Sequence, residues 1–322
     1  MLEVLTLDTN LSLLSESCFK FVVNRENELK RLDLYLSEKI PQFSRSFLVK
    51  LINAGYVLVN GKQVDKSFNL RVGDSVSASL DGFYIEDRGN IVAQNIPLDI
   101  IYEDDYLIVV NKKKGMVTHP APGHYKDTLV NALKFHTSRL SNLNSDIRPG
   151  IVHRLDKDTS GVILVAKDNF AHENLAEQIK DKTAKREYLG IIHGKFKYPN
   201  GKIDFPIGRD KKNRKKMSVT DENSKNAVTN YVVLKSFKRY SYVRFSLETG
   251  RTHQIRVHCS KLGHPLAGDI LYGARGDPDF LFGQCLHAFK ITFNHPKTHD
   301  KLEFSADLPD YFKKFLYIIS NE

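Results

Sequence analysis

Near Pro97 the apolar pattern changes character, and no other feature constrains the fold as much. Before that point, helical and turn signals alternate quickly. Residues 19–23 read as a short strand, and Leu29, Leu32, Leu36 and Ile40 mark one face of a helix over 29–40 that Pro41 stops. A second helix, 44–54, begins at Ser44 as a cap and ends at Gly55. Val57, Leu58 and Val59 then run into Asn60-Gly61, a strong hairpin signal, with the strand resuming at Gln63 and Val64. After a turn at 72–74 a strand is expected over 76–80. Residues 19–84 therefore make a compact α+β module, 1–18 form a polar extension, and 85–97 form a linker.

Beyond the linker, 98–322 is rich in strands. They are expected over 100–102, 107–110, 150–153, 162–166, 188–193, 227–234, 242–247 and 289–293. Helices fit 129–136 and 170–180. A third helix follows Thr252 as N-cap and stops at Gly263 and Pro265.

Composition removes several classes. The chain has 322 residues, 48 Lys+Arg against 38 Asp+Glu, and 41% hydrophobic residues, which is globular and long enough for a core without disulfides or metals. No apolar run reaches the roughly 18 residues of a membrane span. The opening residues MLEVLTLDTN lack the basic region of a signal peptide. Cys18, Cys259 and Cys285 form no C-x-x-C pair, so a reducing cytoplasm is expected. The net charge of +10 favours a polyanionic partner.

Two segments concentrate polar chemistry. His153-Arg154-Leu155-Asp156-Lys157-Asp158-Thr159-Ser160-Gly161 lies between two apolar runs. It is either a turn whose Asp and Ser side chains cap the backbone, or a reactive carboxylate kept ionised by neighbouring cations. Asp158-Thr159-Ser160-Gly161 also resembles an aspartic-protease segment, but no second copy supplies the partner carboxylate. Thr249 to His258 forms the other segment, with Arg256 in the first turn of its helix. His253 and His258 are five apart with no Glu between them, which does not suit the i, i+4 metal pattern. Basic clusters at 112–114 and 209–216 are either solvated faces or phosphate contacts. No Walker or dinucleotide-binding loop occurs.

Taken in order, these segments resemble a known family. Gly150 to Gly161 resembles the signature of the RluA family of pseudouridine synthases. So do Pro97 to Asp105, Arg186-Glu187-Tyr188, Gly250 to His258, Gly263 to Asp269 and Leu286-His287-Ala288. The N-terminal module is similar to an S4 RNA-binding domain through Arg31-Leu32-Asp33, Ser44-Arg45, Gly55-Tyr56-Val57 and Val59 to Lys62, an order typical of the RluD-like branch. The resemblance implies an α+β fold whose large, mixed and mainly antiparallel sheet carries catalysis. It implies cofactor-free, metal-free isomerisation of uridine in RNA, with large-subunit ribosomal RNA expected first and transfer RNA as the alternative. A monomer without membrane contact is expected.

Carried over by position, Asp156 is the catalytic aspartate, acting on ribose or uracil or as a base toward the ribose. Arg256 pairs with it, Tyr188 stacks on the base and assists proton transfer, Ile255 walls the pocket, and Arg154 fills the space of the flipped nucleotide. Arg31, Ser44, Arg45, Lys50, Lys62, Lys112, Arg214 and Lys215 are the expected RNA contacts. Two departures stand out. Asn111-Lys112-Lys113-Lys114-Gly115 replaces N-K-P-x-G, which predicts a looser turn near His119-Pro120, and Asp127 replaces a usual Gly. A non-catalytic RNA-binding protein on the same scaffold is the competing reading.

Overall fold

A computed structural model of the chain describes residues 18–41, 43, 45–80, 91–120, 125–143, 148–213 and 215–322. The N-terminal extension up to residue 17, Ser44, Arg214 and the start of the linker lie outside them. The chain separates into two compact units, 1–87 and 88–322. Among the described residues no helix is long and apolar enough to cross a membrane.

The first unit contains β1 (Cys18–Val22), α1 (Leu32–Lys39), α2 (Arg45–Asn53), β2 (Val57–Val59) and β3 (Ser75–Ser79), with the strands in the antiparallel order β1-β3-β2. Leu32, Leu36, Leu48, Leu51, Ile52 and Val76 are fully buried between helices and sheet. Two expectations are corrected here. Leu29 is 70% exposed with φ 61°, so the helix starts three residues late. The cause is backbone pairing: Leu29 N–H donates to Leu70, and Leu32 N–H to Phe68, which holds 29–31 outside the helix. The Asn60-Gly61 turn forms as expected, but it closes a single bridge from Val59 to Lys62 rather than a full hairpin. The strand that pairs with β2 is β3.

In the second unit the chain runs β4 (Ile100–Glu103), β5 (Leu107–Lys112), α3 (Leu129–His136), β6 (Ser160–Ala166), α4 (Asn169–Lys180), β7 (Lys185–His193), β8 (Asn200–Asp204), β9 (Ile207–Arg209), β10 (Met217–Val219), β11 (Val228–Ser236), β12 (Tyr240–Leu247), α5 (Gln254–Lys261), β13 (Leu286–Asn294), β14 (Lys301–Ser305) and α6 (Asp310–Ser320). Eight strands follow the order β4-β5-β6-β13-β7-β12-β11-β8, with β14 added on β13. All contacts within this sheet are antiparallel except β6 with β13, so it is the expected mixed, mainly antiparallel sheet.

β5 and β6 read as continuous apolar runs because both their faces are covered. Ile108, Val110, Ile163 and Val165 pack with Leu129 and Leu133 of α3. The alternate residues Leu107, Val109, Val162 and Leu164 pack with Ala171 and Leu175 of α4. At the parallel junction Gly161 (φ 110°) meets Ala288 so closely that a Cβ would stand 2.1 Å from its carbonyl oxygen, so only glycine fits. No element is expected beyond Phe293, yet β14 and α6 follow, and Phe312, Phe315 and Ile319 of α6 seal a further core against Leu189 and Ile191.

Candidate active site

The site begins where an expected strand fails. Residues 150–153 have the pattern of a strand, but only Ile151 bridges to β6, at Val165. The next ladder position is taken by a side chain: the Leu164 N–H donates to His153 Nε2 at 3.0 Å. Burial, reinforced by Arg186, pushes His153 down to about 3, so its ring stays neutral and able to accept. The chain is therefore free to leave the sheet as loop 154–159, which carries Asp156.

That loop is fixed from several sides. The Thr118 hydroxyl donates to the Leu155 carbonyl at 2.7 Å and accepts the Leu155 N–H at 3.3 Å. Gln284 donates to the Thr159 hydroxyl at 3.0 Å. Gly283 (φ 102°) lies flat against Asp158, where a Cβ would meet the carboxylate at 2.7 Å. Lys112 is 1% exposed, and its ammonium donates to the carbonyls of Lys113, Met116 and Lys157 at 3.0, 2.8 and 3.2 Å.

Burial pushes Lys112 down to about 7, against the upward pull of Asp156 and Asp158. This corrects the assignment of Lys112 to RNA binding, because its charge is spent inside the fold. Lys114 is likewise turned inward, donating to the Gly283 and Gln284 carbonyls at 3.1 Å each and lying over the Tyr311 ring. These contacts brace the turn at 113–115. Asp127 at the other departure has φ 59°, a conformation glycine takes easily. It holds it by exchanging hydrogen bonds with the Gln94 side chain.

α5 supplies the opposite wall. Its expected cap, Thr252, is not the N-cap: His253 occupies that position with φ 56° and no side-chain cap. The start of the helix is pinned by Gln254 instead, which accepts from Arg251 N–H and the Thr249 hydroxyl and donates to Val228 and Thr229. Arg256, two residues on, is clamped by Asp269 through Nε–Oδ2 at 2.7 Å and Nη2–Oδ1 at 2.9 Å. Its remaining Nη1 donates to Asp156 Oδ2 at 3.2 Å. Burial disfavours the guanidinium charge, but Asp269 and then Asp156 outweigh it and keep Arg256 ionised.

Asp156, Arg154, Tyr188 and Ile255 line one cavity of about 400 Å³. Arg256 stands behind it and reaches in through Asp156. Tyr188 is 5% exposed, and burial raises its phenol, so it stays protonated. Arg154, Lys180, Lys182 and Arg251 make the mouth cationic, with Glu248 opposing them.

Three residues in or beside this site fall outside the expected set. Arg186 and Tyr188 sit two apart on β7 and share a face, so strand alternation could have found Arg186. Asp269 follows the pair Leu266-Ala267 and is 1% exposed; a carboxylate so buried needs a cation, but sequence does not say which. His253 drew notice in the sequence through metal-ligand spacing and as part of the Gly250 to His258 segment, with no role attached to it. Among the described residues no cluster of His, Cys, Asp and Glu is arranged to hold a metal ion.

The remaining expected RNA contacts are scattered. Lys215 is exposed in the segment joining β9 to β10, which form a two-stranded ribbon. In the N-terminal unit Lys50 and Lys62 are exposed, while Arg31 and Arg45 both bind the buried carboxylate of Asp33.

Residues 106–261 match the RNA pseudouridylate synthase family, and residues 30–76 match the S4 domain. The chain is 46% identical over 287 residues to the uncharacterized RNA pseudouridine synthase YlyB of Bacillus subtilis, covering 89% of this chain and 93% of that protein. It is 40% identical over 302 residues to the ribosomal large subunit pseudouridine synthase D of Neisseria meningitidis, covering 91% and 79%. The solved structure of human RNA pseudouridylate synthase domain containing 1 aligns with TM-score 0.53 and 28% identity, over 67% of this chain and 86% of that one.

Proposed function

The chain belongs to the RNA pseudouridine synthase family, and on that premise we propose that Asp156 is its catalytic carboxylate and large-subunit ribosomal RNA its substrate. The observation that carries the reading is the chain of contacts Asp156–Arg256–Asp269, which delivers one carboxylate to the cavity. Relatives named for the large ribosomal subunit support the choice of RNA. The reaction conserves every atom: the C1′–N1 bond breaks, the uracil turns, C5 bonds to C1′, and the proton lost from C5 is balanced by one gained at N1.

In this reading the uridine leaves its stack, because the reacting atoms are inaccessible within one. Arg154, exposed at the cavity mouth, occupies the space it leaves. Ile255 walls the base. Tyr188 stacks on it, and because its phenol stays protonated it suits stacking and hydrogen-bond donation better than accepting the C5 proton. The S4 unit and the ribbon around Lys215 add phosphate contacts, so affinity falls with salt. A monomer acting in the cytoplasm is the form this reading expects.

Asp156→Asn tests the assignment. We expect no tritium release from RNA labelled at uridine C5, with RNA affinity nearly unchanged; turnover at the wild-type rate would remove Asp156 from the mechanism. Mapping pseudouridine in ribosomal and transfer RNA with and without the gene identifies the target uridine.

A further inference from the structure

One pocket side chain holds a hydrogen-bond donor opposite Asp156. His253 adopts φ 56°, an uncommon but accessible conformation for histidine. Its Nδ1 lies 2.8 Å from Tyr272 Oη, and its Nε2 lies 3.9 Å from Asp156 Oδ2.

The hydrogen-bond network fixes which nitrogen carries the proton. Met217 N–H donates to Tyr272 Oη at 2.9 Å, so that oxygen already accepts from the backbone. Burial pushes the Tyr272 phenol up to about 12, so it keeps a proton to donate, and Nδ1 is in place to take it. Burial also holds His253 below its ordinary range; Arg256 and Arg154 add to this, and Asp156 and Asp269 oppose it. A neutral imidazole that accepts at Nδ1 carries its proton on Nε2.

A donor thus faces an acceptor across a gap too wide for a direct hydrogen bond. One oxygen, about 2.8 Å from each, bridges such a gap, provided that it both accepts and donates. A carbonyl oxygen cannot donate, and an N–H cannot accept. A hydroxyl does both. The ribose 2′-hydroxyl is attached next to C1′, where the bond is broken, so a carboxylate working there comes within reach of it.

We infer that His253 Nε2–H and the Asp156 carboxylate together hold the 2′-hydroxyl of the target uridine, making His253 a specificity-determining residue that reads the sugar. The inference rests on Asp156 being the catalytic carboxylate. It gives the site a way to tell RNA from DNA that depends on neither base pairing nor phosphate contacts.

The test uses the full chain and two synthetic stem-loop RNAs spanning the mapped target, one with uridine and one with 2′-deoxyuridine at that position alone. The readout is the ratio of kcat/KM for the two, which does not depend on the fraction of protein folded. Wild type is expected to favour the ribose by about 100-fold or more, as sites built around a substrate hydroxyl do.

His253→Asn keeps a residue that tolerates positive φ but is too short to reach, and should cut the ratio at least about tenfold, the worth of one lost hydrogen bond. His253→Gln, whose amide can donate from nearly the same place, should restore part of it. A wild-type ratio in His253→Asn, or no sugar preference in wild type, overturns the inference.

If His253→Asn is too slow to assay, Asp156→Asn and the Asp156→Asn/His253→Asn double variant are compared for binding the two RNAs, since the amide oxygen that replaces the carboxylate still offers an acceptor. An equal preference for ribose in both overturns it. Turnover by Asp156→Asn itself would instead remove the catalytic reading, so the two failures are distinguishable.

Discussion

Asp269 offers the sharpest test of how the site is built. Its carboxylate is 1% exposed and touches the similarly buried Arg256 through two short, parallel hydrogen bonds. Asp269→Asn keeps the shape but removes the charge and turns one amide N–H group toward a guanidinium that can only donate. Arg256 then remains buried with Asp156 alone, 3.2 Å away and partly open to the cavity. Breaking a buried ion pair by removing one partner costs about 3–5 kcal/mol, so a loss near 3 kcal/mol is expected for this milder change. Arg256→Met should cost a similar amount, because it strands Asp269.

The cycle is closed by the single variant Asp269→Leu, expected to cost at least as much as Asp269→Asn, and by the double variant Arg256→Met/Asp269→Leu, which leaves neither charge exposed to the low dielectric of the interior. The double variant should therefore be more stable than the sum of the single effects by about 2 kcal/mol or more. Its activity should stay at least about 100-fold below wild type, because Asp156 has lost the cation that orients it. Urea unfolding followed by far-ultraviolet circular dichroism measures the cycle, since the chain contains no Trp. Single effects that add within about 0.5 kcal/mol, or a double variant with normal turnover, would refute the clamp.

Two further outcomes follow from buried charges elsewhere. Lys112→Met should destabilise the second unit by about 2–5 kcal/mol, because three carbonyls lose their shared donor, while the salt dependence of RNA binding stays at the wild-type slope; Lys215→Ala should do the reverse, and a shallower slope in Lys112→Met would return that lysine to the RNA surface. In the first unit, burial would raise Asp33, but hydrogen bonds from Arg45 and Arg31 hold it below the ordinary carboxylate range. A carboxyl lowered in the folded state stabilises above its unfolded value and loses that contribution as pH falls through the folded one, so this unit should weaken from about pH 5 downward. Asp33→Asn should flatten that acid limb; an unchanged limb would show that other groups set it.

What is legible in the sequence follows from the range of the interactions involved. The bounds of α3 and the end of α5 can be read there because periodicity and punctuation are local properties. Asp156, Arg256 and Tyr188 stand out only as parts of ordered motifs, and the structure brings Asp156 and Tyr188 to one cavity with Arg256 behind them. The errors share another origin. Leu29 has the right spacing for a helix, but its backbone is claimed by Leu70, and residues 152–153 have strand character, but a histidine side chain takes the ladder position. Lys112 looks like surface because lysine usually is surface. Its burial depends on carbonyls gathered from 113, 116 and 157, and the last of these arrives only when loop 154–159 folds back. The same long-range closure hides Asp269 and gives His253 its tautomer: a buried charge or a fixed proton is a property of partners. A sequence names the candidates for such roles, and the fold decides which partners meet.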